Sequence, residues 1–133
     1  MTYAIGYLAS LAAFVLADMV WLGVMVSRIY RPALGDTLLA GVNLPPAIVF
    51  YLFYPVGLLI FAIGPALRTG SSGAAALYGA LFGLFAYGTY DLTSYATMRN
   101  WTLQLTVVDM IWGTVLSGLA ATAGVIAASK VAG

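Results

Sequence analysis

Four long apolar stretches separated by short polar breaks organise this chain. They cover residues 3–27, 44–67, 74–98 and 102–129. An α-helix rises about 1.5 Å per residue, so about 20 apolar residues cross the roughly 30 Å hydrocarbon core of a bilayer. Each stretch is long enough to cross with some tilt. The pattern predicts an all-α fold: a polytopic integral membrane protein with four transmembrane helices in an antiparallel bundle, one domain over residues 1–133. The breaks carry the terminators. Arg28-Ile29-Tyr30-Arg31-Pro32 is expected to end the first helix, because two cations and a proline interrupt the pattern. A loop over 33–43 follows, with a short interfacial helix expected around Thr37-Leu38-Leu39. Pro45-Pro46 falls in the opening turn of the second helix, where missing N–H groups cost little. Pro55 lies inside that helix and predicts a kink. Arg68 to Gly73 reads as a turn, Arg99-Asn100-Trp101 as a tight connection, and Lys130 as a snorkelling end. Val15-Leu16-Ala17 resembles a cleavage site, but no Lys or Arg precedes the apolar run and the run continues beyond it. A retained helix is expected.

Composition narrows the chemistry. Of 133 residues, 63% are hydrophobic and 7% charged, against about 25% charged in a soluble domain. The net charge of +1 supplies no basic patch, so no nucleic-acid partner is expected. There is no Cys and no His. That removes thiolate chemistry, the commonest metal ligand, the usual haem ligand and a Ser-His-Asp triad. No cofactor and no metal site are expected. Chemistry must come from Asp, Tyr, Arg, Lys, Ser, Thr and the backbone.

The acidic residues are few and oddly placed. Asp18-Met19-Val20-Trp21 in the first stretch is echoed by Asp109-Met110-Ile111-Trp112 in the fourth, and Asp91 lies in the third. A carboxyl in hydrocarbon is costly and is kept near partners or function. The membrane face bearing the N-terminus is side A, and the opposite face is side B. At 1.5 Å per residue, Asp18 lies about 13 Å from side B, and Asp91 and Asp109 about 10 Å. All three therefore share a depth in the B half. Tyr51 and Tyr54 enter from the second helix. Tyr87, Asp91, Ser94 and Tyr95 share a face of the third by their three- and four-residue spacing, as do Thr106, Asp109 and Trp112 on the fourth. Arg28, Arg31 and Arg99 stand at the B rim, and the A half is mainly Leu, Ala, Gly, Phe and Ile.

The expected picture is a one-sided polar cup. Its ligand-binding candidates are Asp18, Trp21, Tyr51, Tyr54, Tyr87, Asp91, Ser94, Asp109 and Trp112, with Arg28, Arg31 and Arg99 at the mouth. A purely structural network stands beside this reading, with Asp paired to Arg and to Tyr hydroxyls across helices. Trp101, Tyr30 and Tyr95 are read as interfacial aromatics. Gly79 and Gly83, with Gly113, Ser117 and Ala121, give four-residue small-residue faces that predict close packing of helices three and four or of two protomers. Side B has Arg28, Arg31 and Arg99, and side A has Arg68, Lys130 and the terminal amine, a thin margin that barely supports side B in the cytoplasm.

Several runs then resemble the bacterial membrane-protein family called domain of unknown function 2177. They are Arg31-Pro32-Ala33-Leu34-Gly35, Tyr51-Leu52-Phe53-Tyr54, Gly79-Ala80-Leu81-Phe82-Gly83-Leu84, Tyr90-Asp91-Leu92-Thr93-Ser94-Tyr95-Ala96-Thr97, then Trp101 and Val108-Asp109-Met110-Ile111-Trp112-Gly113. The resemblance covers nearly the whole chain. It implies a multi-pass protein of the bacterial inner membrane and no established activity. The residues favour a protein that binds an amphiphilic or lipid-like molecule in the cup, with membrane lipids as surroundings. A small proton-coupled transporter or exporter working as a homodimer, or an accessory subunit of a larger membrane complex, comes next. A lipid-modifying enzyme comes last.

Overall fold

The computed structural model describes residues 1–39, 41 and 43–132. Helix α1 (Thr2–Met25) passes into a π turn over Val26–Tyr30 and then into α2 (Arg31–Leu34). A 3-10 turn, Gly35–Thr37, ends this first stretch. The second stretch is α3 (Leu44–Leu58), a π turn over Leu59–Ile63, and α4 (Gly64–Thr69). Helices α5 (Ser72–Thr97) and α6 (Leu103–Ala132) complete the bundle.

The first stretch does not stop at Ser27, and the two π turns explain why. Each ends two residues before a proline, at Tyr30 before Pro32 and at Ile63 before Pro65. Proline has no N–H, and its ring collides with the carbonyl four residues back in a regular helix. A π turn widens that segment, with the Arg31 N–H reaching the Val26 carbonyl and the Gly64 N–H reaching Leu59. The helix absorbs the proline instead of breaking there. The short helix expected around Thr37-Leu38-Leu39 comes earlier, because Gly35, with φ at 55°, closes α2 and Leu38 is extended. Ala40 and Val42 of that expected loop lie outside the described residues.

The remaining joints follow local rules. Gly70 takes a left-handed φ of 71° after α4, and the Ser71 hydroxyl accepts the Ala74 N–H at 3.2 Å to start α5. The Thr102 hydroxyl accepts the Leu105 N–H at 3.0 Å and starts α6.

The molecule is inverted relative to a water-soluble one. Leu16, Val20, Phe53 and Phe85 stand on the outside, while Ser10, Asp18, Asp91, Thr106, Asp109 and Ser117 are buried. Three stretches, Thr2–Thr37, Leu44–Thr69 and Leu103–Val131, are long and apolar enough to cross a membrane. Helix α5 has the length, 26 residues or about 39 Å, but is more polar. Its hydroxyls are turned back on the helix: Thr89 donates to the Phe85 carbonyl and Thr97 to the Thr93 carbonyl, each at 2.7 Å. Such bonds satisfy threonine without water.

Helices α5 and α6 pack along their small residues, as the spacing of Gly79 and Gly83 predicts. A methyl group at Gly79 would stand 2.7 Å from Ala121 Cβ and from the Ser117 carbonyl, and one at Gly83 would strike the Gly113 carbonyl. Phe14, Leu58, Ile63, Leu116 and Ala121 belong to the main apolar core. Leu34, Trp101 and Leu105 form a smaller cluster towards side B.

Candidate functional site

The repeated Asp-Met-x-Trp motifs meet where α1 and α6 run side by side in opposite directions. Their indoles stack face to face, with ring centres 4.5 Å apart and planes within 5°. The Trp112 indole N–H donates to Asp18 Oδ1 at 3.0 Å, from one motif to the other. In the reverse sense, the Trp21 indole N–H donates to the Tyr30 hydroxyl at 3.0 Å, and Tyr30 donates to Asp109 Oδ1 at 2.5 Å. Tyr51 donates its hydroxyl to Asp18 Oδ2. Each carboxyl thus accepts one tyrosine, and the motifs cross-link the helices through a near-two-fold clasp. The donors to Asp18 and Asp109 are hydroxyls and indoles rather than guanidinium groups.

A cavity of about 660 Å³ opens beside this clasp. Of the candidate residues, Asp18, Trp21, Tyr54, Tyr87, Asp109 and Trp112 line it. Leu22, Val26, Leu34, Leu38, Leu39 and Phe50 supply an apolar wall, and Tyr30, Arg31, Ala86, Tyr90 and Trp101 complete it. The exposed Arg31, Leu39, Phe50 and Tyr90 mark where it reaches the surface. Every lining residue belongs to the B half. Aromatic rings hold the cavity open at its inner end. Tyr54 packs on Phe14 at 4.7 Å and Phe82 at 5.2 Å between ring centres, and its hydroxyl is 2.7 Å from Ser117 Oγ. The Tyr87 ring rests directly against Gly113, where no side chain could fit.

Several expected positions fall elsewhere. Tyr51 reaches Asp18 but does not line the cavity. Asp91 and Ser94 are buried behind the lining. Arg28 and Arg99 are exposed and off the cavity, so Arg31 alone of the three rim cations lines it. Tyr95 is exposed, as an interfacial residue should be. Tyr30 and Trp101 are not interfacial: Tyr30 is spent on Asp109, and Trp101 is 5% exposed and packed with Leu34 and Leu105. The three carboxyls all face inward, but no group of three or more acidic residues close enough to hold a metal ion occurs among the described residues. Among the described residues, Asp18 is linked to Asp109 by hydrogen bonds and stacking through the two indoles and Tyr30.

These features define an all-α membrane protein whose interior is polar and aromatic in one half and closely packed in the other. The family model described as "Predicted membrane protein (DUF2177)" matches residues 3–126, and the chain belongs to that family. No curated protein and no solved structure matches the chain.

Proposed function

We propose that the B-half cavity holds a neutral amphiphile whose head donates a hydrogen bond. The observation that carries this reading is the cavity itself: its volume of about 660 Å³ lies inside the roughly 300–1,000 Å³ range of small-molecule sites, and most of its wall is apolar or aromatic, with the carboxyls of Asp18 and Asp109 inside and Arg31 at the mouth. The tail lies along Leu22, Val26, Leu34, Leu38, Leu39 and Phe50. The head meets the carboxyls of Asp18 and Asp109 and the hydroxyl of Tyr87. The carboxyl oxygens of Asp18 and Asp109 accept hydrogen bonds, so a hydroxyl head has a proton to give them and a carboxylate head has none. The apolar end sets affinity through buried area, and the polar end sets orientation.

Native mass spectrometry of the purified chain, exchanged into detergent with dodecanol or dodecanoate, tests this. One retained dodecanol per chain, little dodecanoate, and loss of retention in Ala86→Phe are expected. Equal retention of alcohol and acid, or retention untouched by Ala86→Phe, would overturn the site. Tighter retention of dodecylamine than of dodecanol would overturn the neutral head.

A further inference from the structure

The pairing of α5 with α6 follows a fixed register. Gly79 faces Ala121, Gly83 faces Gly113 and Ser117, and Tyr87 faces Gly113. Each step of four residues up one helix is a step of four down the other. Continuing that register sets Asp91 against Asp109 and Ser94 near Thr106. Asp91 is fully buried, and neither of its carboxyl oxygens has a hydrogen-bond donor. The register makes the carboxyl of Asp109 its neighbour across the helix pair. Two carboxylates facing each other in a low-dielectric interior repel, and two acceptors bond only through something positive between them. Among the described residues no cationic side chain hydrogen-bonds either carboxyl; Arg31 lines the same cavity as Asp109, but it is exposed at the mouth. Tyr30 from the first helical stretch donates to Asp109, and Tyr87 and Tyr90 from α5 line the cavity with Asp109. The Thr106 hydroxyl donates to the Thr102 carbonyl at 2.9 Å, which leaves its lone pairs free.

We infer that Asp91 and Asp109 hold one small cation between them, a proton or a sodium ion, at a site behind the cavity wall. Either places one positive charge between two buried carboxyls: a proton bonds to one and hydrogen-bonds to the other, and sodium is coordinated by both, with the hydroxyls of Ser94 and Thr106 as further oxygen ligands. Occupancy is sensed in the cavity, because Asp109 holds Tyr30 and Tyr30 holds Trp21.

The test uses the full chain in detergent micelles and reads tryptophan emission while sodium replaces choline at constant ionic strength, repeated over a range of pH. A saturable response to sodium at fixed pH supports a sodium ion. A response to pH without sodium supports a proton. Asp91→Asn places an amide N–H where the proton would lie, so it keeps the fold and loses the response. Asp109→Asn is the reciprocal variant if Asp91→Asn does not accumulate. Ser94→Ala weakens a sodium response about tenfold or more and leaves a proton response in place. Emission of the native chain that is flat to both sodium and pH would overturn the inference. So would a response of native size in either Asn variant.

Discussion

The two halves of the bundle use the same helices to opposite ends. In the A half, α5 and α6 touch through Gly79, Gly83, Ser117 and Ala121, and α1 closes on α6 where Gly6 and Gly124 meet around Ile63. In the B half, the rings of Tyr54 and Tyr87 and the stacked indoles fill the same interhelical space, and a cavity remains. The second stretch contributes to the difference. It meets α5 through its π turn and α4, at the A end, while α3 leans on α1. Small residues make a seam that holds the bundle closed, and large aromatic residues tied by hydrogen bonds make a frame that holds it open. A cavity framed in this way is built, not left over from imperfect packing, because each ring that borders it has a fixed partner.

The largest effect should come from breaking the closed half. Gly83→Leu puts a side chain into the Gly113 carbonyl and Ser117. Overpacking ordinarily costs about 1–3 kcal/mol, and a collision with backbone lies at or beyond the top of that range. The protein should fail to accumulate in membranes or should melt far below the native chain.

The open half should give smaller, graded losses. Asp18→Ala leaves the half-buried Tyr51 hydroxyl and Trp112 N–H without their acceptor, at about 0.5–1.5 kcal/mol for each hydrogen bond lost. Denaturation of the micellar protein should show that loss, with a shifted tryptophan emission. Trp112→Phe and Trp21→Phe then sharpen the comparison between the two motifs. Both keep an aromatic stack. Trp112 gives its proton to a carboxyl and Trp21 to a hydroxyl, so the first should cost about 1.5–3 kcal/mol and the second about 0.5–1.5 kcal/mol. Equal costs would mean that the stack, not the hydrogen bonds, holds the clasp. At the bottom of the scale, Arg99→Gln alters an exposed residue off the cavity and should stay within about 0.5 kcal/mol of the native chain.

Much of this frame is written plainly in the chain. Helix number and approximate ends follow from apolar length, and the seam follows from glycine spacing. The shared depth of Asp18, Asp91 and Asp109 follows from counting residues inward from the breaks. Tyr30 was hidden for a physical reason. It lies nine residues after Trp21, about two and a half turns of a regular helix and so on the opposite face. The π turn changes the phase and swings it inward, and nothing in local composition signals that change except the proline that follows. Trp101 was hidden because an aromatic residue in a short connection ordinarily marks an interface, whereas here Leu34 and Leu105 fold over it. Arg28 and Arg99 share the rim with Arg31, but helical depth says nothing about which way around the bundle a rim side chain points.

The central claim is that the framed cavity takes an amphiphile, and the chain carries its own reporter. Its three tryptophans, Trp21, Trp101 and Trp112, all line that cavity. Quenching of their emission by a bromine-labelled dodecanol is therefore the most direct measurement. Quenching that saturates at one alcohol per chain and disappears in Ala86→Phe is the predicted result. Quenching that rises without saturation and is identical in Ala86→Phe would contradict the claim, because it would place the alcohol in the micelle and not between the helices.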